Sequence, residues 1–359
     1  MHEQVLLKTL SLPELQERLA EQGFARYRAA QIFQWIYRHH AESFAEMTNI
    51  AKADRERLAK LFVLSSLRVA ATERSSDGTA KILFGLEDGH TIESVLIPEE
   101  KRLTLCVSSQ VGCRQACRFC LTGAGGFVRN LRSGELADQV LTVSRILRAD
   151  GGPEITNIVF MGMGEPLDNL DELLRALAVI TDDRAMGISP RRITVSTCGL
   201  VPQIDRLGAS HTRTNLAVSL NASTDAVRER IMPVNKRYPL AELLAACRRY
   251  PLEPRRRITF EYVLLSGVND SEEDARRVAA MLKGIPCKIN LIPFNACAGI
   301  PFERPDERAV RRFQKVLVER HVTAPVRESR GRDISAACGQ LRERTADERD
   351  AAACDRPRY

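Results

Sequence analysis

From Leu103 onward, short apolar runs alternate with segments whose apolar residues recur every three or four positions. The runs have the length of buried β-strands, and the segments between them are typical of amphipathic helices. Near-continuous apolar strands that alternate with helices indicate a parallel sheet covered by helices. The six predicted strands are 103–107, 155–161, 193–196, 216–220, 258–265 and 288–293. Six units are too few for a closed eight-stranded barrel, so the pattern predicts an α/β fold, a partial (β/α)6 barrel with its chemistry on the loops after the strands.

The N-terminal part of the chain shows helical patterns instead. Ser11 and Glu14 have the spacing of a capping box that begins a short helix. Two further amphipathic patterns cover 25–39 and 49–62, and the first contains the only tryptophan, Trp35. We interpret their apolar residues as core rather than as a binding site.

Short β-rich runs follow between residues 66 and 98. Ser76-Asp77-Gly78 and Asp88-Gly89 interrupt them and favour hairpin turns, which predicts a β-meander. The last residues, from 342 on, are charged and rich in alanine without periodicity, and we expect a mobile tail there. The sequence therefore predicts three parts: an N-terminal accessory domain with a helical module and a β-meander (1–98), a core domain (99–332) and a short C-terminal extension (333–359).

The composition limits the class of protein. The chain has 359 residues, of which 44% are hydrophobic and 28% charged, and it has no apolar stretch long enough to span a bilayer. Its start lacks the basic, apolar and small-residue regions of a signal peptide, so we expect a cytoplasmic protein without membrane contact. In that compartment, ten cysteines favour metal binding or catalysis over structural disulfides. The net charge of +7 favours a polyanionic partner.

Three cysteines, Cys113, Cys117 and Cys120, lie close together after the first predicted barrel strand. Structural zinc takes four nitrogen or sulfur ligands, and no histidine lies nearby in the sequence. Three thiolates on a four-iron cubane would leave one iron open to an external ligand. The C-x3-C-x2-C spacing, with an aromatic residue before the last cysteine, resembles the signature of the radical S-adenosylmethionine (SAM) superfamily. This resemblance implies one 4Fe–4S cluster bound by three cysteines and an exchangeable SAM.

Residues after the other predicted strands are those through which the resemblance implies SAM binding. The segment 162–166 is similar to the superfamily's glycine–glutamate element, in which glycine lets the backbone approach a ligand and a carboxylate meets the SAM ammonium group. Taken alone, each of these residues is equally typical of a strand end or a turn. At position 221 some relatives have histidine, so a contact through an imidazole would not be kept here. The implied SAM contacts are Gly164, Glu165, Ser196, Ser219, Leu220, Asn221 and Asn295.

Two more cysteines lie in motifs that narrow the family. Cys106 is followed by Val-Ser-Ser-Gln-Val-Gly at 107–112, and Cys338 lies within Gly-Arg-Asp-Ile-Ser-Ala-Ala-Cys-Gly-Gln-Leu at 331–341. Together with the three-cysteine motif, these segments resemble the RlmN/Cfr family of radical SAM RNA methyltransferases over all of the chain except the tail. The segments 107–112 and 126–131 are more similar to the branch that methylates C2 of adenosine in 23S rRNA and in certain tRNAs. A Cfr-type enzyme, which methylates C8 of the same rRNA adenosine and confers antibiotic resistance, shares every cysteine role and stays an alternative.

The family resemblance also implies a role for each residue. Cys338 takes a methyl group from one SAM and becomes a methyl-cysteine intermediate, and a second SAM supplies the radical that activates this methyl group. Cys106 then resolves a covalent protein–RNA adduct by attacking the sulfur of Cys338, which leaves a transient disulfide. Glu93 is implied as the acceptor of the C2 proton. From its own sequence context, Glu93 is more typical of an exposed carboxylate on the polar side of a strand.

The remaining cysteines carry no predicted role in the chemistry. We expect them to fill the core or loops, because buried free cysteine behaves as a small apolar residue, and one of them falls in the tail. They are Cys198, Cys247, Cys287, Cys297 and Cys354. A non-catalytic RNA-binding protein with a structural iron–sulfur cluster stays a second alternative, and it would need neither Cys106 nor Cys338.

Clusters of arginine give a weaker indication of RNA contacts. They lie at 129–132, 248–249 and 255–257, and are as typical of solvated helix faces as of phosphate contacts. The resemblance implies 23S rRNA and tRNA as partners and an electron donor such as flavodoxin. Nothing in the sequence requires more than a monomer.

Overall fold

The computed structural model describes residues 5–64, 67–297 and 299–343, and a nine-stranded sheet lies at its centre. Six parallel strands and three antiparallel strands make up this sheet. An N-terminal helical module packs against two helices of the parallel part. The predicted tail lies outside the described residues from position 344 onward, as does Cys354.

The N-terminal module is built on three helices whose apolar faces meet. Its elements are β1 (Val5–Leu6), α1 (Leu12–Glu21), α2 (Tyr27–Tyr37), α3 (Lys52–Leu61) and β2 (Phe62–Val63). The predicted capping box begins α1: the N–H of Ser11 donates to the carboxylate of Glu14 (2.7 Å), and the N–H of Glu14 donates to the hydroxyl of Ser11 (3.4 Å). Trp35 lies half-buried at the edge of the core, where its indole N–H donates to the side chain of Asn49 (2.6 Å).

The predicted meander is confirmed, and it joins the barrel sheet. Its strands are β3 (Arg68–Arg74), β4 (Ala80–Gly85) and β5 (Thr91–Glu99). The hairpin turns place Gly78 and Gly89 at φ +85°, where glycine is favoured. Strand β5 then pairs antiparallel with the first barrel strand, with Val95 opposite Cys106. The meander therefore extends the barrel's edge, and the domain boundaries at 98 and 332 stay predictions.

All six predicted barrel strands are present, and each strand end lies within two residues of its prediction. The sheet order places the six strands side by side and parallel, in the order in which the chain forms them. Their carboxyl ends therefore meet at one edge. The elements in chain order are β6 (Arg102–Cys106), β7 (Gln110–Gly112), α4 (Leu121–Ala124), β8 (Phe127–Asn130), α5 (Ser133–Ala149), β9 (Asn157–Phe160), α6 (Leu170–Thr181), β10 (Ile193–Thr197), α7 (Val201–Ala209), β11 (Asn215–Ser219), α8 (Asp225–Ile231), α9 (Leu240–Arg249), β12 (Ile258–Leu264), α10 (Glu272–Met281), β13 (Cys287–Pro293) and α11 (Glu307–Glu319).

The main core lies between the sheet and its helices. Fully buried side chains such as Phe160, Phe260 and Leu291 form it, which removes a large apolar area from water. A buried ion pair between Lys8 and Asp138 fixes the N-terminal module to α5. Among the described residues, no helix is both long enough and apolar enough to cross a membrane.

Candidate active site

A short hairpin frames the three cysteines that follow β6. Strands β7 and β8 pair antiparallel, and the cysteine loop and α4 lie between them. The N–H of Cys113 donates to the carbonyl of Gly126 (2.6 Å), and the N–H of Cys120 donates to the carbonyl of Cys117 (3.1 Å). Gly112 has φ +73°, and a Cβ atom there would stand 2.1 Å from the carbonyl oxygen of Gly126. Glycine at this position thus allows the two strands to approach and holds the start of the loop.

The three thiols of this loop are close neighbours. Burial raises the pKa of Cys113 to about 12 and that of Cys117 well above its usual range, and the charge of Cys120 raises both further. In the described parts of the chain, no group of three or more His, Cys, Asp or Glu side chains is arranged to hold a single metal ion. The thiolates of a cubane bind different iron atoms, so they stand further apart than the ligands of one ion. Three thiols without a fourth ligand suit a 4Fe–4S cluster better than zinc.

The glycine–glutamate element after β9 passes close to the same hairpin. Gly164 has φ +97°, and a Cβ atom there would stand 2.5 Å from the Cβ atom of Gln110. The N–H of Glu165 donates to the side-chain oxygen of Gln110 (2.8 Å). The buried carboxylate of Glu165 accepts from the N–H groups of Leu167 (3.0 Å) and Cys198 (2.7 Å). It therefore joins the ends of β9 and β10, and burial raises its pKa.

The other predicted SAM contacts lie at or just after the ends of β10, β11 and β13. Ser196 and Ser219 are half-buried in the last two residues of their strands, and Leu220 is buried. Asn221 has φ +56°, and its side-chain oxygen accepts from the N–H of Val263 (2.8 Å), so this side chain fixes the loop after β11 to β12. Asn295 is buried, and its Oδ1 has no hydrogen-bond partner within the described residues. A buried unpaired oxygen of this kind is typical of a position that a ligand completes.

Cys106 and Cys338 interact electrostatically although they are far apart in the sequence. Cys106 is the last residue of β6, and Cys338 lies in the C-terminal segment, which we define as residues 331–343. Burial raises the pKa of Cys106, and the charge of Cys338 raises it further. Cys338 is solvent-exposed, and it interacts electrostatically with Cys120. All nine cysteines in the described residues are free thiols, so this structure does not contain the predicted disulfide.

The C-terminal segment is fixed at both ends. At its start, the N–H of Gly331 donates to the carboxylate of Asp77, in the first turn of the meander (3.0 Å). Beyond Cys338, the carbonyl of Gly339 accepts from the N–H of Leu121 at the start of α4 (2.8 Å). Cys338 is thereby held between the meander and the cysteine loop.

Glu93 is buried, so the expectation of an exposed carboxylate is wrong. It lies in β5, its carboxylate stands 3.5 Å from the ammonium group of Lys81, and it accepts from the N–H of Arg342 (3.2 Å). Lys81 also donates to the carbonyl of Ile334 (2.5 Å). The C-terminal segment covers this face of the meander, and Lys81 links Glu93 to it.

Two buried charged residues near the site were not predicted. Arg228, on α8, is fully buried. Glu261, in β12, is buried beside Cys338: one carboxylate oxygen accepts from the side chain of Asn290 (2.8 Å), and the other has no partner among the described residues. A carboxylate inside a near-continuous apolar strand was a signal that could have found Glu261. Arg228 has no such signal, because arginine in a short helix is usually exposed.

The predicted arginine clusters are largely engaged within the protein. Arg129 forms ion pairs with Asp88 and Glu135, and Arg249 pairs with Asp205 (2.7 Å). The cluster at 255–257 precedes β12 and therefore lies toward the amino ends of the strands, away from the cysteines.

Comparison with known proteins gives the family. Residues 107–279 match the radical SAM superfamily, and residues 5–64 match the ribosomal RNA large subunit methyltransferase N-terminal domain. The crystal structure of a radical SAM methyltransferase from Sphaerobacter thermophilus is 48% identical, with a TM-score of 0.90, and the match covers 94% of this chain and 99% of that one. The predicted fold class is confirmed.

Two relatives over nearly full length carry the name dual-specificity RNA methyltransferase RlmN. The protein from Pelobacter propionicus is 54% identical over 342 residues, which is 95% of this chain and 97% of the relative. The protein from Geobacter sulfurreducens is 55% identical over 336 residues, which is 94% of this chain and 91% of the relative. The chain belongs to the RlmN family of the radical SAM superfamily.

Proposed function

We propose that this chain methylates carbon C2 of adenosine in 23S rRNA and in certain tRNAs. The observation that carries the proposal is the position of the Cys338 segment beside the cysteine loop, with Cys106 in electrostatic range of Cys338, in a chain of the RlmN family. A non-catalytic iron–sulfur protein would need neither thiol. The Cfr-type alternative is not favoured, because the relatives carry the name RlmN and the N-terminal domain matches a ribosomal RNA methyltransferase.

The reaction determines what the site has to supply. Carbon C2 of adenine is electron-poor and its C–H bond is not acidic, so it cannot attack the methyl group of SAM directly. When bound, the cluster and SAM supply the one-electron chemistry that activates a methyl group for attack on such a carbon. Cys113, Cys117 and Cys120 would hold the cluster and leave one iron open to SAM. The residues proposed to contact SAM are Gly164, Glu165, Ser196, Ser219, Leu220, Asn221 and Asn295.

The thiol of Cys338 would carry the methyl group. As a thiolate it would attack the methyl carbon of a first SAM, with S-adenosylhomocysteine as the leaving group, so that two SAM would be used per turnover. Its solvent exposure supports this role, because a substrate must reach the sulfur, and its attachment at both ends keeps the sulfur in place.

Cys106 would release the RNA. Its thiolate would attack the sulfur of Cys338 and form a disulfide that must be reduced before the next cycle. The electron pair of the broken sulfur–carbon bond stays with the transferred carbon, which takes up a proton and becomes the methyl group. A disulfide needs Cα atoms about 4.4–6.8 Å apart, so the proposed step requires the two residues to come within that range. The raised pKa of Cys106 keeps it protonated at rest, so it must lose its proton before it attacks.

Glu93 would accept the proton that leaves C2. The ammonium group of Lys81 and the N–H of Arg342 orient its carboxylate, and both contacts connect it to the segment that carries Cys338. A buried carboxylate fixed by two donors can hold one orientation toward a bound base.

The RNA substrate is a polyanion, which suits the net charge of +7. The target base must leave its stack to reach a site at the end of a barrel. We further propose that the enzyme acts as a monomer in the cytoplasm and receives electrons from a donor such as flavodoxin.

The first test is nucleoside mass spectrometry. The iron-reconstituted protein is incubated without oxygen with SAM, a reductant and unmodified 23S rRNA or tRNA in separate reactions. We expect 2-methyladenosine with both RNAs. Formation of 8-methyladenosine alone would show that the C2 assignment is wrong.

Cysteine variants test the two-thiol mechanism. We expect Cys338→Ala to abolish methylation, and Cys106→Ala to accumulate protein covalently attached to RNA, visible as a shifted band on denaturing gels. Cys287→Ala is a matched control, because Cys287 begins β13 at the end of the barrel opposite the site. Full methylation by Cys338→Ala, or the lack of an adduct with Cys106→Ala, would contradict the mechanism.

A further inference from the structure

Arg228 is a buried cation that forms no ion pair among the described residues. It is the largest fully buried side chain in the described residues. Its guanidinium donates to the carbonyls of Cys198 (2.6 Å), Ser219 (3.0 Å) and Leu220 (3.0 Å), and to the side-chain oxygen of Asn235 (3.1 Å). All four acceptors are neutral oxygens.

Two acidic side chains near Arg228 are engaged elsewhere. The buried carboxylate of Glu165 accepts from the N–H of Cys198 (2.7 Å), the residue whose carbonyl Arg228 binds. Asp225 lies exposed at the start of α8, and its carboxylate accepts from the side chain of Asn235 (3.0 Å) and the N–H of Leu240 (2.8 Å). No carboxylate in the described parts of the chain forms an ion pair with Arg228. A charge buried in this way is unfavourable unless an opposite charge compensates it.

The cysteine loop lies directly against the helix that carries this charge. The N–H of Arg118, between the second and third cysteines of the loop, donates to the carbonyl of Ile231 at the end of α8 (2.9 Å). Cys117 packs in one apolar cluster with Ile231. Arg228 also interacts electrostatically with Cys117 and with Cys198. A cluster bound by three thiolates is net negative, and it becomes more negative when it takes up an electron.

We propose that Arg228 is the buried counter-charge of the iron–sulfur cluster and that it raises the reduction potential of the cluster. The inference rests on the proposed function, because it takes the cluster to be bound by Cys113, Cys117 and Cys120. Reduction is the uptake of one electron from a low-potential donor, without bond cleavage or proton transfer. A fixed positive charge stabilises the more negative, reduced state, so it favours electron uptake.

Arg228 also has a structural role that the test must separate from its charge. Its guanidinium connects the carbonyls at the ends of β10 and β11, including Ser219 and Leu220 of the proposed SAM site. Arg228→Met removes both the charge and the hydrogen bonds, whereas Arg228→Lys keeps a positive charge and loses the planar group that binds four oxygens. Arg230→Gln is the matched control, because Arg230 is exposed on the same helix and its charge is screened by water.

The measurement is a redox titration of the reconstituted protein with dithionite, followed by electron paramagnetic resonance, without RNA. Iron and sulfide content are measured on the same samples. We expect Arg228→Met to lower the equilibrium constant for cluster reduction by about tenfold or more. For a one-electron couple, a tenfold change corresponds to about 59 mV. The equilibrium constants for cluster reduction in Arg228→Lys and Arg230→Gln should stay within about twofold of that of the natural protein. Arg228→Lys keeps the buried charge, and Arg230→Gln loses only a charge that water screens.

An unchanged potential in Arg228→Met with full iron content would overturn the inference, and so would a potential in Arg228→Lys as low as that in Arg228→Met. If Arg228→Met does not take up iron, Arg228→Gln supplies the test. It removes the charge and keeps an amide N–H group that can donate to the carbonyls. A lower potential in Arg228→Gln supports the inference and an unchanged one refutes it. If the natural protein assembles no 4Fe–4S cluster, the proposed function fails instead.

Discussion

The close approach of Gly164 to Gln110 makes a quantitative prediction. In Gly164→Ala, the new Cβ atom would lie 2.5 Å from the Cβ atom and 2.8 Å from the backbone nitrogen of Gln110, and neither can move as the end of a flexible side chain could. The backbone is also at φ +97°. A side chain in the left-handed region costs about 1–2 kcal/mol, and overpacking costs a further 1–3 kcal/mol or so. We therefore expect the free energy of unfolding to fall by about 2–5 kcal/mol.

Gly89→Ala separates the two contributions. Gly89 also has a positive φ, +85°, but a Cβ atom there meets nothing within 4 Å. The free energy of unfolding of this control should fall only by the cost of the left-handed backbone conformation, about 1–2 kcal/mol. Urea denaturation of the cluster-free proteins is followed by circular dichroism, and the shift in midpoint gives the difference in free energy of unfolding between each variant and the natural protein. The steric argument would be refuted if Gly164→Ala were no less stable than Gly89→Ala.

Two further predictions concern buried or hydrogen-bonded carboxylates. Burial raises the pKa of Glu261 and one of its carboxylate oxygens is unpaired, so Glu261→Gln should stabilise the protein by about 1 kcal/mol at neutral pH. This gain in stability should disappear below about pH 4, where the glutamate is protonated in both the folded and the unfolded state. If thermal melts across this pH range instead show that the variant is less stable, the oxygen has a partner. Burial acts to raise the pKa of Asp77, but hydrogen bonds from Thr79 and from the N–H of Gly331 outweigh this effect and lower the pKa. The stability that Asp77 provides is therefore complete above the pKa of the unfolded state, about 3.9, and is lost as the pH falls toward the lower pKa of the folded state. Asp77→Asn should therefore lose less stability than the natural protein on acidification, and identical pH profiles of the two proteins in thermal melts would contradict this.

The barrel could be predicted from the sequence because its signals are local. Each buried strand is a short apolar run, and each long helix has its own amphipathic pattern, so neither depends on distant residues. The hairpins at Gly78 and Gly89 were equally local. The continuity between meander and barrel was not predicted, because it depends on β5 pairing with β6, and an alternating strand does not show which edge it will join.

The site residues also differ in whether a local sequence signal predicts them. The loop of Cys113, Cys117 and Cys120 could be found from its spacing alone. The proposed pairing of Cys106 with Cys338 came only through family resemblance, since nothing in either local sequence relates one cysteine to the other. The exposed position expected for Glu93 was wrong because residues far along the chain, in the C-terminal segment, cover that strand. Arg228 was missed for the same reason: its burial follows from the loops packed around α8.

The attachment of the C-terminal segment has a consequence for how the enzyme is made. All nine strands of the sheet, the cysteine loop and Cys106 precede residue 294, so the ribosome completes them before it adds Cys338. Until those last residues emerge, the face of the meander and the side of α4 that the segment covers stay uncovered, and the cysteine loop can be reached from that direction. A nascent chain, or one clipped before Gly331, would therefore keep its cysteine loop yet lack Cys338, the proposed methyl carrier. Synthesis through the C-terminal segment is therefore the step that brings the proposed methyl carrier to a cysteine loop that is already complete.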